Sequence, residues 1–139
     1  MKKGKVLAVD YGTKHIGLAT GDLDIKIAFP RDVFENKEGV EDRIFSLCEE
    51  LGVRKIVVGL PLSMREDQKR NFLVEKVEQF VDLLQKRLKG LEIDIELFDE
   101  RLSSFEAEQL VGKDARTAGE RLDAHAAQVI LQRYFDTIL

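Results

Sequence analysis

The sequence predicts a single α/β domain over residues 1–139, with a mixed β-sheet that carries helices on both faces. Three observations support this fold class. Three short β-rich runs come first, and helical and extended patterns alternate after them. One later run is apolar on both faces, which is typical of a central strand covered by helices. The length allows one sizeable core and is too short for two.

The first three predicted strands form a meander. Lys5 to Tyr11 and His15 to Thr20 are β-rich runs, and the short segment Gly12-Thr13-Lys14 between them is typical of a hairpin. Ile25 to Phe29 is a third, weaker strand that ends at Pro30. A meander of this kind predicts antiparallel neighbours at the start of the sheet.

The remaining elements alternate between helix and strand, and most of their ends are marked by glycine or by a change of hydrophobic period. We expect a helix from Val40 to Leu51 with Gly52 as its C-cap, then a strand from Val53 to Gly59 and a polar segment from Ser63 to Arg70. A longer helix follows, whose apolar stripe runs from Leu73 to Leu88 and which ends at Gly90, and after it a strand from Leu91 to Phe98. The last predicted elements are a short helix capped by Ser103 or Ser104, a loop from Gly112 to Gly119 and a helix from Glu120 to Leu139.

Composition and charge exclude several classes of protein. A net charge of -4 argues against a protein that coats nucleic acid nonspecifically, but it allows an enzyme that acts on nucleic acid at one site. No apolar run approaches the roughly 20 residues that span a bilayer, and the first residues lead into a strand and not a signal sequence. The single Cys48 cannot form an internal disulfide, which indicates a buried thiol in a reducing compartment.

Three carboxylates stand where apolar residues or element ends would be expected. Asp10 interrupts the first apolar strand, Glu100 follows the last strand, and Asp123 shares a face of the last helix with apolar residues. If these elements are neighbours in the fold, the three side chains converge, and a divalent cation removes the cost of placing their charges together. Two Mg²⁺ ions about 4 Å apart would activate a water and stabilise the leaving oxygen of a phosphodiester.

Each carboxylate also has a simpler interpretation. Asp10 lies in an Asp-x-Gly sequence that is common in turns, and Glu100 could pair with Arg101 at the surface. The helix dipole favours an acidic residue such as Asp123 near the start of a helix. Asp99 competes with Glu100, because neighbouring residues of a strand point to opposite faces, and the sequence leaves open which of them enters the site.

Four segments resemble one known family. The segments LAVDYGTKHIGLA, IVVGLPLS, FDERLSS and LDAHAAQVIL occur in the order and spacing of the YqgF family, also called RuvX, and the resemblance covers nearly the whole chain. These are RNase H-fold proteins described as nucleases of pre-16S ribosomal RNA or as Holliday junction resolvase-like. The resemblance implies a five-stranded mixed sheet in the order 3-2-1-4-5 and a cytoplasmic bacterial protein that depends on Mg²⁺ or Mn²⁺. It assigns the acidic triad of catalytic and metal-binding residues to Asp10, Glu100 and Asp123.

The expected partner is nucleic acid, either pre-ribosomal RNA or branched DNA. The backbone N–H groups of Gly12 and Thr13 could bind a phosphate, as turns of this kind do. Basic side chains near the predicted rim of the site are further candidates for phosphate contact, although any one of them could simply be solvated. They are Lys14, Arg101, Lys113, Arg116 and Arg121.

Several functions remain open at this point. The leading expectation is a metal-dependent nuclease that processes the 5′ end of pre-16S ribosomal RNA, and the first alternative is a Holliday junction resolvase-like endonuclease. A second alternative is an RNA-binding ribosome-assembly factor without catalysis. The hairpin also resembles the phosphate loop of actin-like ATPases, but those enzymes close two lobes around the nucleotide and 139 residues supply one. The sequence is compatible with a monomer or a homodimer.

Overall fold

The computed structural model describes residues 4–60, 67–99 and 119–138. Within these ranges the chain forms five strands and three helices, which we number in chain order. They are β1 (Lys5–Tyr11), β2 (His15–Asp22), β3 (Phe29–Glu35), α1 (Val40–Leu51), β4 (Val53–Leu60), α2 (Asp67–Arg87), β5 (Asp94–Asp99) and α3 (Gly119–Thr137). The short helix predicted after Ser103 and most of the loop predicted from Gly112 lie outside the described residues.

The strands form one mixed sheet in the order β3-β2-β1-β4-β5, which confirms the expected topology. β1 is antiparallel to β2 and parallel to β4, and β4 is parallel to β5. Because β1, β4 and β5 run in the same direction, their last residues lie at one edge of the sheet. We call this the carboxyl edge, and it is defined by Tyr11, Leu60 and Asp99.

Helices cover both faces of the sheet. One face packs against α1 and α2, and we call it the α1/α2 face; its buried strand residues are Leu7, Val9, Ile16, Leu18, Phe34, Val53, Ile56 and Val58. The other face packs against α3, and we call it the α3 face; its buried strand residues are Val6, Ala8, Ala19 and Val57, and the helix contributes Ala127, Ile130, Leu131, Tyr134 and Phe135. Successive residues of β1, β2 and β4 thus alternate between two cores, as strand geometry requires.

The prediction of the third strand was wrong. The structure begins β3 at Phe29 and ends it at Glu35, so Pro30 lies inside the strand and does not end it. An edge strand tolerates proline because its outer N–H groups need no partner in the sheet. The pairing with β2 also shifts, from Leu18 opposite Asp32 to Ala19 opposite Pro30, which is a bulge.

The predicted strand residues Ile25 and Ile27 are 63% and 48% exposed. Residues 26–28 are held by α3 instead of by a strand. The side chain of Gln132 accepts a hydrogen bond from the N–H of Ala28 (3.0 Å) and donates one to the carbonyl of Lys26 (3.0 Å). An amide side chain has the same donor and acceptor groups as a peptide unit, so it replaces a neighbouring strand at this point.

The other elements differ from the prediction mainly at their ends. α2 already begins at Asp67, inside the predicted polar segment from Ser63 to Arg70, and β5 begins at Asp94, three residues after the predicted start. α1 has the predicted bounds, and Gly52 at its end adopts a left-handed conformation (φ 71°) that favours glycine. No helix in the described ranges is long and apolar enough to cross a membrane.

Candidate active site

Asp10 lies at the carboxyl edge near the centre of the sheet. It is the next-to-last residue of β1, after a run of four fully buried residues, and it is itself only partly buried. Val9 packs on the α1/α2 face, and the ring of Tyr11 contacts that of Phe80 in α2, with 5.1 Å between centroids. Because residues of a strand alternate, Asp10 belongs to the α3 face, as Val6 and Ala8 do.

The strand positions beside Asp10 carry no side chains. Gly17 of β2 is directly opposite Asp10 in the antiparallel pairing. On the other side, Val9 pairs with Val58 of β4, and the next residue of β4 is Gly59. Glycine at these two positions places no side chain beside the carboxylate of Asp10, and carboxylate oxygens are ligands that suit Mg²⁺ or Mn²⁺.

The helix α3, which packs on the same face of the sheet, carries Asp123. Asp123 lies in the first turns of α3, four residues before Ala127 and seven before Ile130. Both of those residues are buried against the sheet, and positions four and seven apart lie on one side of a helix. The structure thus gives the place of Asp123 along α3, and its role as a metal ligand stays a prediction.

The structure tests the other predicted site residues only in part. Glu100, Arg101, Lys113 and Arg116 lie outside the described residues, and Arg121 is described only by its place in α3. No group of three or more His, Cys, Asp or Glu side chains that could hold a metal ion occurs among the described residues. Asp10 is the one predicted ligand whose side chain falls within that part of the chain, so the fit of the site to a cation depends on Asp10 and its glycine neighbours.

The loop after Asp10 contains the predicted phosphate-binding residues Gly12, Thr13 and Lys14. Thr13 and Lys14 are exposed. A Cβ atom at Gly12 would lie 2.5 Å from the carbonyl oxygen of His15, closer than real Cβ atoms approach a backbone oxygen, so the loop requires glycine at this position.

Asn36, which follows β3, contacts both ends of this loop. Its side-chain Nδ2 donates a hydrogen bond to the carbonyl of Gly12 (2.7 Å), and its backbone N–H donates one to the carbonyl of Lys14 (2.9 Å). The sequence pattern does not predict these contacts of Asn36, because the predicted third strand ends before Pro30 and leaves no element beside the loop. An asparagine at the end of a correctly placed β3 would have been the signal.

A charged cluster lies further from the carboxyl edge on the α3 face. Lys55 of β4 is 2.6 Å from the carboxylate of Glu96 in β5, and the hydroxyl of Tyr134 in α3 lies 3.4 Å from the same oxygen. Burial alone would lower the pKa of Lys55, but its hydrogen bonds and charge interactions with Glu96 and Tyr134 outweigh this effect and raise it. The cluster joins the two strands to α3.

Solved structures with a similar fold include two Holliday junction resolvases. RuvC of Thermus thermophilus in complex with a Holliday junction substrate superposes with a TM-score of 0.60 over 97% of this chain and 95% of RuvC, at 13% identity. The Fowlpox virus resolvase in complex with Holliday junction DNA superposes with a TM-score of 0.61 over 97% of this chain and 99% of that protein, at 8% identity. The fold therefore defines the class: an RNase H-fold protein of the RuvC-like type.

Sequence comparison gives the family within that class. The sequence model of the RuvX family, described as Holliday junction resolvase, matches residues 4–137. A relative from Chloroflexus aurantiacus is 38% identical over 136 residues, which cover 94% of this chain and 86% of the relative. A relative from Bordetella parapertussis is 39% identical over 140 residues, 99% of this chain and 98% of the relative. Both carry the name of a candidate pre-16S rRNA nuclease. The chain belongs to the RuvX family.

Proposed function

We propose that this protein is a divalent-metal-dependent nuclease that hydrolyses phosphodiester bonds in cytoplasmic RNA, at the 5′ end of the pre-16S ribosomal RNA. The observation that carries the proposal is the position of Asp10. A carboxylate at the centre of the carboxyl edge, between two glycine positions and on the face covered by α3, is well placed to bind a cation on a rigid element.

The pairing of β5 supports Glu100 over Asp99 as the second acidic residue. Ile95 packs on the α1/α2 face, whereas Glu96 and Phe98 contact Tyr134 of α3. A strand that kept this alternation would direct residue 99 to the α1/α2 face and residue 100 to the α3 face, where Asp10 lies. The alternation thus favours Glu100, which the sequence pattern alone could not distinguish from its neighbour.

The roles of the residues follow from this arrangement. Asp10, Glu100 and Asp123 would hold one or two Mg²⁺ or Mn²⁺ ions, which supply a deprotonated water and neutralise the charge of the phosphodiester. The loop from Gly12 to Lys14 would position the substrate strand by binding a phosphate through a backbone N–H. Basic side chains beyond the described residues, such as Arg101 and Arg116, are further candidates for this contact.

The names of the relatives support RNA as the substrate. The relatives above that match nearly the full chain carry a pre-16S rRNA nuclease name. The family description and the two solved complexes concern Holliday junctions instead. Junction cleavage is therefore the second candidate function, and it would favour a symmetric dimer because two strands must be cut.

The test is a cleavage assay with both substrates and two matched variants. Purified protein is incubated with an RNA that spans the 5′ precursor junction of 16S RNA or with a four-way DNA junction, with Mn²⁺ or with EDTA. Asp10→Asn keeps the size of the side chain and removes its charge, so we expect it to lose metal-dependent cleavage. Asp82→Asn makes the same change at an exposed position of α2 and should cleave like the wild type.

The outcomes separate the candidate functions. Cleavage of the RNA by wild type and Asp82→Asn, but not by Asp10→Asn, supports the proposal. Cleavage of the junction alone supports the resolvase function. Equal cleavage by Asp10→Asn would show that the activity comes from a contaminant, and RNA binding without any cleavage would show an assembly factor.

A further inference from the structure

We propose that Asn36 is a positioning residue for substrate binding, which holds the loop from Gly12 to Lys14 so that the N–H of Thr13 is directed toward a phosphate of the bound strand. This inference depends on the proposed function, because it assigns a role within the same site. It concerns a residue of this chain that belongs to none of the four segments resembling the family.

The direction of the Thr13 N–H follows from the two hydrogen bonds of Asn36. The carbonyl of Gly12 points at the Asn36 side chain, and the peptide bond that it shares with Thr13 is trans, since the described residues contain no cis peptide. In a trans peptide the C=O and N–H groups point in opposite directions. The N–H of Thr13 therefore points away from Asn36, on an exposed residue three positions after Asp10.

Asn36 fixes both ends of the loop at once. Its backbone N–H continues the pairing between β2 and β3 by binding the carbonyl of Lys14, and its side chain then reaches the carbonyl of Gly12. The side-chain bond thus links the end of β3 to the end of β1, across the whole width of the hairpin. Without it, the peptide between Gly12 and Thr13 can rotate, and the N–H must be ordered again when substrate binds.

The consequence is a division of roles within the site. The acidic residues would hold the cation, whereas the Asn36 side chain holds the carbonyl of Gly12, two residues after Asp10. Loss of that side chain should therefore weaken substrate binding and leave the chemical step nearly unchanged. A residue that only stabilised the fold would show no such separation of KM from kcat.

The first experiment measures steady-state cleavage of the short precursor RNA with Mn²⁺. We expect Asn36→Ala to raise KM by about fivefold to tenfold, the effect of one hydrogen bond, with kcat within about twofold of the wild type. The matched control is Gln132→Ala, which removes side-chain amide bonds to the backbone at residues 26–28, next to the far end of β2. Gln132→Ala should lower the melting temperature at least as much and leave KM unchanged.

The second experiment observes the N–H of Thr13 directly. In ¹⁵N-labelled protein with Ca²⁺, which permits binding without turnover, the amide signal of Thr13 should shift on addition of the RNA. In Asn36→Ala the shift should become smaller and the dissociation constant, measured by fluorescence anisotropy, should rise by the same factor as KM. An unchanged KM, an equal rise in Gln132→Ala, or an unaltered Thr13 shift would overturn the role of Asn36.

The two proposals fail in different ways. If the wild type binds the RNA without cleaving it, the nuclease function is wrong. The dissociation constants and the amide shift of Thr13 then still test the role of Asn36. If the wild type cleaves normally and Asn36→Ala behaves like the wild type, only the positioning role is wrong. If the wild type neither binds nor cleaves the RNA, both are wrong.

Discussion

The two faces of the sheet differ in the size of their side chains and in what they support. On the α1/α2 face, β1 and β2 carry large aliphatic residues such as Leu7, Ile16 and Leu18, which pack against two helices. On the α3 face the same two strands carry Ala8, Ala19 and glycines, which pack against one helix. Small residues let a helix lie close to a sheet, and close packing restricts how that helix can move.

The α3 face is also the face on which Asp10 lies. The contact between Gly21 and α3 shows how close the two layers are, because a Cβ atom at Gly21 would lie 2.7 Å from the ring of Phe135. One face thus provides most of the bulky apolar core, and the other places the helix that carries Asp123 against the strand that carries Asp10. Substitutions on the two faces should therefore affect stability and activity differently.

The largest effect on stability is expected on the α1/α2 face. Ile56→Ala removes a fully buried side chain from β4, and the resulting cavity should lower the free energy of unfolding by about 2 to 5 kcal/mol. Urea denaturation measures this change. Cleavage per folded molecule, assayed well below the melting temperature, should remain near that of the wild type. A loss of activity without a loss of stability would contradict the comparison between the faces.

A smaller loss of stability with a larger loss of activity is expected on the α3 face. Gly21→Ala introduces a methyl group 2.6 Å from the carbonyl of Ile27 and 2.7 Å from the Phe135 ring, so the backbone at Ile27 and the Phe135 ring of α3 must move, and we expect α3 to move with its ring. Overpacking of this kind costs about 1 to 3 kcal/mol. Because α3 carries Asp123, cleavage per folded molecule should fall, and kinetics with unfolding curves test this. Activity equal to that of Ile56→Ala would show that the position of α3 is unimportant.

The smallest effect concerns Cys48 in the α1/α2 core and appears only at high pH. Burial raises the pKa of its thiol from 9.0 to about 12, so the unfolded chain loses this proton before the folded one does. The contribution of the protonated thiol to the free energy of unfolding is therefore fully present below pH 9. This contribution is lost as the pH rises toward 12, and at pH 10 the free energy of unfolding is lower by about 1 kcal/mol. Unfolding of wild type and Cys48→Ala between pH 8 and pH 10.5 should show the steeper decline in the wild type. Parallel curves would contradict it.

The sequence predicted elements whose ends are set by local chemistry. β1 and α1 have the predicted bounds, because apolar alternation defines the strand and Gly52 adopts the left-handed conformation that ends the helix. β3 could not be predicted in this way. It is an edge strand that pairs only with β2, and it contains Pro30. The side chain of Phe29 is 58% exposed. Neither its composition nor an alternation of apolar and polar residues therefore distinguishes it as a strand.

The same distinction applies to the candidate site. Asp10 was predicted because a carboxylate within an apolar strand is unusual in the sequence itself. Asn36 was not, because its contacts with Gly12 and Lys14 depend on where β3 ends relative to the hairpin. A residue whose role comes from tertiary contacts leaves no periodic pattern in the sequence. The predicted site roles all stay predictions, namely those of Asp10, Glu100, Asp123, Gly12, Thr13, Lys14, Arg101, Lys113, Arg116 and Arg121.

The irregularity of β3 has a consequence for the protein at high concentration. A regular outermost strand offers a row of unsatisfied backbone groups that a strand of another molecule could bind, which is how many sheet proteins aggregate. Here Pro30 supplies no N–H, and the bulge at Arg31 interrupts the even spacing that an incoming chain would have to match. This side of the sheet is a poor template for growth, which should keep the molecules apart in a crowded cell.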